Sequence, residues 1–318
     1  MASALPYFPN PRYQLLRLLG EGGFGAVFLA RDLFMRSNVA IKLLRATSFD
    51  AGDRFRRELR LLQTQINNRH VVTVLDADLD ADPPYIVLEF CEHGSLRSWV
   101  QQRRSWREVA AAIAHALFGL RGVHDVGGFH RDLKPDNLLL ATDVATGEAI
   151  VKVADFGLAR VPLTATGAMT YGGRGTLGYI APEVLLGRPF TAAADVYSLG
   201  IVALELLTGS IDPSQQIPGA VPEGLSRLVR QMLAFEPTGR PTPQAIAQSL
   251  NALLIQGSAP AASQPRQLPS NTAGAGGGLL LAFGLAAAAA LAAFAGGDNK
   301  EWDKNVGRYR GSDGRFTR

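Results

Sequence analysis

HRDLKPDN, residues 130–137, gathers a histidine, two acids, an amide, two bases and a proline into eight positions. A turn by itself needs only the proline and one or two Asp or Asn side chains. Crowding ionisable groups into one loop is costly in repulsion and desolvation, so their density points to a place where charge develops or phosphate is handled. A solvated surface loop is the simpler reading, and the flanking sequence has to decide.

Upstream, residues 13–44 read as strands broken by glycines: YQLLRLLG, AVFLARD and VAIKLL. Within GEGGFGAV, Gly20, Gly22 and Gly25 omit side chains where backbone N–H groups can approach phosphate oxygens. A dinucleotide fold would open a helix here, whereas this stretch reads as strand, turn, strand. A hairpin that merely needs glycines is the other reading of the cluster. Lys42 ends VAIK, and alternation puts it on the face of Ala40, where a small residue beside a cation suits a flat ring with trailing phosphates. An exposed strand lysine is the plainer alternative. The next segment reads as a helix, with Asp50 or Asp53 as cap and Phe55, Leu59, Leu62 and Ile66 at helical spacing. Glu58 lies along its apolar side, where a charge needs a partner, and Lys42 is the natural one. At the edge of the stripe it would reach water instead.

Strands are expected again at VVTVLDA and YIVLEF, after which the texture becomes helical over 106–125, 192–208, 223–235 and 243–255. The pattern describes a small strand-rich lobe joined near residues 89–94 to a larger helical one.

In this order the pieces resemble the eukaryotic-type (Hanks-type) serine/threonine protein kinases. The resemblance runs on through HRDLKPDN, DFG at 155–157, APE at 181–183, DVYSLG at 195–200 and RP at 240–241, covering about residues 13–255. It implies an α+β, bilobal protein kinase fold, with one main helix in the small β-rich lobe. It also implies ATP, Mg2+ (or Mn2+ in its place) and protein substrates. By the resemblance Asp132 accepts or orients the proton of the attacking Ser/Thr hydroxyl, Lys134 neutralises the migrating phosphoryl group, and Asn137 and Asp155 hold metal. Lys42 serves the phosphates and pairs with Glu58, while Gly20, Glu21, Gly22, Gly23, Phe24 and Gly25 cover them. Adenine would lie between Val27, Ala40 and Leu139 and bond the backbone of Glu89 and Cys91, with Leu88 as gatekeeper. Cys91 then reads as a small apolar hinge residue in preference to a reactive thiol.

The same resemblance gives His130 a packing role, Arg131 a phosphate-pairing role, Phe156 a place under the Glu58 helix, and Pro135 and Asp136 the shaping of the loop. Asp195 anchors the catalytic loop, and Glu183 with Arg240 forms a structural ion pair. The gap from Asn137 to Asp155 is slightly long, and TDVATGEA reads as a hairpin insertion. Thr164, Thr166 and Thr170 are phosphorylation candidates, which together with self-association would allow autophosphorylation. Thr176 and Lys134 argue for Ser/Thr over Tyr acceptors.

The 318 residues carry a net charge of +4, yet residues 1–256 hold 25 basic and 24 acidic side chains. That balance gives no support to a nucleic-acid partner. A single cysteine excludes an intrachain disulfide, and the amino terminus lacks the pattern of a secretory signal. We divide the chain into an extension (1–12), a kinase domain (13–256), an Ala/Ser/Gly/Pro linker (257–277), an uncharged apolar run (278–297) and a basic tail (298–318). The run is twenty residues long, nine of them alanine. At about 1.5 Å per residue it reaches roughly 30 Å, enough to span a hydrocarbon core. It therefore reads as a transmembrane helix, with a buried or interfacial Ala-rich helix as the alternative. The expectation is a single-pass protein of the cell membrane with its kinase domain cytoplasmic, although the basic residues after the span favour a cytosolic tail. The tail, with Trp302, Tyr309 and Phe316 interleaved, would otherwise lie on anionic lipid. Only 21 residues follow the run, so no folded external sensor is expected there.

Overall fold

Strand periodicity in residues 13–44, and again in 74–89, produces a five-stranded antiparallel sheet in the order β1-β2-β3-β5-β4. The computed structural model describes residues 5–22, 25–44, 68–155 and 177–256, together with the backbone of 301–303 and 308–310. The strands are β1 (Tyr13–Gly22), β2 (Gly25–Asp32), β3 (Ser37–Leu44), β4 (Val74–Asp78) and β5 (Tyr85–Glu89). Along β3, Val39, Ile41 and Leu43 enter one apolar cluster with Tyr13, Phe28, Tyr85 and Val87. Because side chains alternate, Ala40 and Lys42 share the opposite face, as the sequence predicts. Phe8, in the extension, closes the apolar face with its ring centroid 4.7 Å from that of Tyr85.

The sequence predicts a strand from Val71, whereas β4 begins at Val74. Residues 70–72 pair instead with the larger lobe: Val72 N–H donates to Val153 O at 2.9 Å, and Val153 N–H to His70 O at 2.8 Å. Burial lowers the His70 imidazole to about 4, so it packs in neutral form against Val151 O. The segment belongs by sequence to the small lobe and by hydrogen bonding to the large one.

The large lobe is built on α2 (Trp106–Asp125) and α4 (Ala192–Thr208), joined by α1 (Arg97–Gln102), α3 (Pro182–Leu185), α5 (Glu223–Met232) and α6 (Pro243–Gln256). Ser105 and Glu108 start α2 with a reciprocal capping box, an arrangement worth roughly 0.5–2 kcal/mol. Ala110, Ala111, Ala112, Ala114 and Ala116 are all buried, so α2 is enclosed on every side and its small side chains let neighbours approach closely. Helix α5 stops at Met232, three residues short of the sequence expectation, because Glu236 precedes Pro237 and is held extended. The TDVATGEA insertion forms the tip of a hairpin between β6 (Leu138–Thr142) and β7 (Ala149–Val153), with Asp143 accepting from Ala145 N–H at 2.9 Å. In the tail, β8 (Glu301–Asp303) and β9 (Arg308–Arg310) pair antiparallel.

The helix expected around Glu58, the segment 156–176 and the apolar run 278–297 lie outside the described residues. Among the described residues no helix is long and apolar enough to cross a membrane.

Candidate active site

The loop that opened the sequence reading is hung from one buried carboxylate. Asp195, in the first turn of α4, accepts from His130 N–H at 2.9 Å, from Arg131 N–H at 3.0 Å and from His124 Nε2 at 2.9 Å. Burial opposes its charge, but the hydrogen bond from His124 and the charges nearby outweigh that, and the carboxyl is held below the ordinary range. With its backbone so fixed, Arg131 adopts φ 69°, a left-handed value that a non-glycine residue keeps only where its surroundings impose it. His130 is fully buried; its Nδ1 accepts from Asp132 N–H, which leaves Nε2 to donate to Ala154 O at 2.8 Å. The histidine thereby ties the catalytic loop to the residue before Asp155.

Asp132 follows with its carboxylate 3.1 Å from Lys134 Nζ and 3.3 Å from Asn137 Nδ2. Asn137 also donates Nδ2 to Asp132 O at 2.7 Å, which fixes the amide with its nitrogen towards the loop. Its Oδ1 takes no hydrogen bond within the described residues, and its main-chain oxygen accepts from Ala154 N–H at 2.9 Å. Asp155 comes next, at φ 54°, with its carboxylate 2.5 Å from Lys42 Nζ across the cleft. Its side chain keeps 42% of its surface open, yet the carboxyl sits among enough protein atoms to oppose its charge. The Lys42 ammonium overrides that and holds it below the usual carboxylate range. Lys42 with Asp155, and Asp132 with Lys134 and Asn137, separated by up to 113 positions in sequence, are thus two side-chain groups joined through the backbone hydrogen bond from Ala154 to Asn137.

The residues 13–250 match the family described as protein kinase domain. The chain belongs to that family. Among curated relatives, the serine/threonine-protein kinase Pkn1 of Myxococcus xanthus is 34% identical over 251 residues, which are 76% of this chain and 34% of that protein. Serine/threonine-protein kinase drp72 of Corynebacterium efficiens is 34% identical, over 71% of this chain and 46% of its own length. For serine/threonine-protein kinase PrkC of Bacillus subtilis the figures are 30%, 78% and 37%. The chain therefore spans between about a third and a half of these relatives' own length.

A protein kinase needs a nucleotide pocket, and the described residues fit one. Val72, Cys91, Ala141 and Ala154 form an apolar patch bordered by Leu88 and Leu139, and Ala40 pairs with Leu88 in the sheet. Neither the N–H nor the C=O of Cys91 has a backbone partner among the described residues, which leaves a donor and an acceptor side by side for a purine edge. Burial pushes the Cys91 thiol up to about 12, so it fills space and does not react. The glycines divide into two kinds. A Cβ on Gly25 would lie 1.8 Å from Leu43 O and its φ is +143°, so the fold itself demands glycine. A Cβ on Gly20 or Gly22 would meet nothing within 4 Å, so no packing within the described residues requires glycine there. Open space beside bare backbone is what phosphates over this hairpin would use. Glu21 pairs with Ala26, and Val27 with Lys42, in the same hairpin. Gly23, Phe24 and Glu58 lie outside the described residues, as do Phe156, Thr164, Thr166, Thr170 and Thr176.

For a metal, Asn137 Oδ1 and the Asp155 carboxylate supply hard oxygen donors of the kind Mg2+ prefers. No group of three or more His, Cys, Asp or Glu among the described residues is placed to hold an ion by itself. An ion held by Asn137 and Asp155 would be completed by substrate phosphates and water.

Three contributors to the site are not given by the sequence motifs. His124 supports Asp195; Lys152 pairs with Glu89 at 2.6 Å behind the hinge; and Arg97 joins Asp136, Glu205 and Tyr179. One signal was present: Glu205 stands between Leu204 and Leu206 in an apolar helix, and a carboxylate buried there must have a partner. What the sequence does not carry is which partner.

Proposed function

We propose that this protein kinase transfers the γ-phosphoryl group of ATP to Ser and Thr hydroxyls of protein substrates, including its own segment between Asp155 and Ala181. The observation that carries the reading is the meeting of two side-chain groups, Lys42 with Asp155 and Asp132 with Lys134 and Asn137, joined through the backbone hydrogen bond from Ala154 to Asn137. Asp132, whose carboxylate is held between the Lys134 ammonium and the Asn137 amide, has the role that the family resemblance implies, accepting or orienting the proton of the attacking hydroxyl. Lys134, 3.1 Å from it, offsets the negative charge that gathers on the phosphoryl oxygens during transfer. Lys42 aligns the nucleotide phosphates from the opposite lobe, and the backbone at Gly20 and Gly22 lies over them. The Cys91 backbone and the Glu89 carbonyl orient adenine between Val27, Ala40 and Leu139. Asn137 and Asp155 would hold Mg2+, or Mn2+, which when bound neutralises phosphate charge. With little covalent work for the protein to do, positioning and electrostatics supply the rate.

Ser/Thr acceptors are supported by Lys134 and Thr176 and by relatives named serine/threonine-protein kinases. The test incubates the full chain with γ-labelled ATP, Mg2+ and a protein acceptor, followed by phosphoamino-acid analysis. Label on phosphoserine or phosphothreonine is expected, and label on phosphotyrosine alone overturns the reading.

We further propose that residues 278–297 tether the kinase to the cell membrane with the catalytic domain in the cytoplasm, where ATP is. Lipid contact through the run and the basic tail, and self-association favouring autophosphorylation, follow from that placement. Twenty uncharged residues support the tether. In sealed vesicles exposing the kinase domain, the tail should resist protease until detergent is added. Equal digestion of tail and kinase domain without detergent refutes the topology.

A further inference from the structure

Arg97, the first residue of α1, makes four hydrogen bonds to three groups in three parts of the large lobe. Its Nε and Nη2 donate to Asp136 Oδ2 at 3.1 and 2.7 Å, its Nη1 to Glu205 Oε1 at 2.6 Å, and its Nη2 also to Tyr179 OH at 3.0 Å. Tyr179 OH donates in turn to Glu205 Oε2 at 2.5 Å. The site is therefore two carboxylates and a phenol converging on one guanidinium.

The location decides what this can do. Asp136 lies four residues after Asp132 on the catalytic loop, in the 3-10 turn Pro135–Asn137. Tyr179 closes the turn Leu177–Tyr179 that leads into Ala181, Pro182 and Glu183. Arg97 holds these two turns together close to Asp132, so a polypeptide that offers a hydroxyl to Asp132 would lie beside them. The side chains of Arg97 and Asp136 are 39% and 46% exposed, so they stand at that surface, whereas Glu205 is 8% exposed beneath them.

Two carboxylates beside an acceptor site would attract a cationic residue of an incoming chain, since hydrogen bonds between charged groups are the strong ones. Here the chain supplies that cation itself. We propose that Arg97 is a specificity-determining residue: by occupying the Asp136–Glu205 pair from within, it removes a cation-binding subsite, so that the kinase does not select for a basic residue next to the phosphorylated Ser or Thr. This rests on the kinase reading above and names the substrate class of the same site. The geometry also predicts a latent preference. Without the Arg97 guanidinium, Asp136 and Glu205 lose their cation, and a basic substrate residue can take its place.

The experiment compares the full wild-type chain with Arg97→Ala on a peptide panel carrying Ala, Arg or Glu at each position flanking the acceptor. Wild type is expected to phosphorylate the neutral peptides, with kcat/KM for Arg and Ala versions within about twofold at every position. In Arg97→Ala the ratio of Arg to Ala peptides should rise about tenfold at one or two positions, the effect of one charge-assisted contact. That rise should disappear in Arg97→Ala/Asp136→Asn. A merely structural Arg97 would lower activity on all peptides together and leave the ratio flat, which overturns the proposal. Should Arg97→Ala fold poorly, Arg97→Gln keeps donors for Glu205 while removing the charge, and the same ratio is read. A wild-type enzyme that already favours Arg peptides tenfold overturns it without any variant. Activity of wild type on the neutral peptide reports separately on the kinase reading, so the two can fail independently.

Discussion

Asp132→Asn is expected to lower kcat for phosphoryl transfer about 10²–10⁴-fold, the range for removing a positioned general base, with little change in KM for ATP. Asparagine preserves shape and the contact with Asn137 but cannot take a proton. Lys42→Met should reduce kcat/KM by a comparable factor for a different reason: the nucleotide phosphates and Asp155 lose the cation that lies 2.5 Å from Asp155. Steady-state rates on the full chain, with circular dichroism to verify folding, check both. Activity in either variant within a factor of ten of wild type would remove Asp132 or Lys42 from the roles assigned to them. In the double variant the losses should fall well short of multiplying, since residues that act as a unit are not additive.

Glu183→Ala should be the most damaging change to stability, and its mechanism is separate. The Glu183 carboxylate receives both Nη1 and Nη2 of Arg240 at 2.7 Å, and the two side chains are 3% and 1% exposed. Arg240 also donates to Ala234 O, Ala193 O and Phe235 O, and its guanidinium lies 4.9 Å from the centre of the Tyr197 ring. Removing the acid leaves an anchored, buried cation without its counter-charge, at about 3–5 kcal/mol. For a domain of this size that lowers Tm by roughly 6–20 °C. Glu183→Met/Arg240→Met should recover part of the loss, because no unpaired charge remains. Calorimetry decides: a single-variant shift below about 2 °C would show that the pair contributes little.

Much of this was legible beforehand for a physical reason. Strand alternation set the face shared by Ala40 and Lys42, and helical periodicity set α2, α4 and α6 to within a residue or two. The anchoring of the catalytic loop by Asp195 and the pairing of Glu183 with Arg240 were read from the family pattern, and both contacts are present. The start of β4 was misread because Val71 and Val72 look like any strand residues. Their partner, Val153, is far away in sequence, and no local pattern records it. The Lys42–Asp155 contact, between residues 113 positions apart, likewise has no local signature, while Glu58, the partner that the sequence suggests for Lys42, lies outside the described residues.

The amino-acid sequence alone determined the order of elements, the two-lobed division and the chemical types gathered around Asp132, because periodicity, glycine placement and motif spacing are local properties. Only tertiary structure decided which charges meet. Arg97 could have faced water, and Asp136 could have remained a loop-shaping acid; packing α1 against α4 and the catalytic loop brought the guanidinium onto Asp136, Glu205 and Tyr179. A buried carboxylate states in the sequence that a partner is required, and the fold states which one, since that depends on distances set by every intervening element.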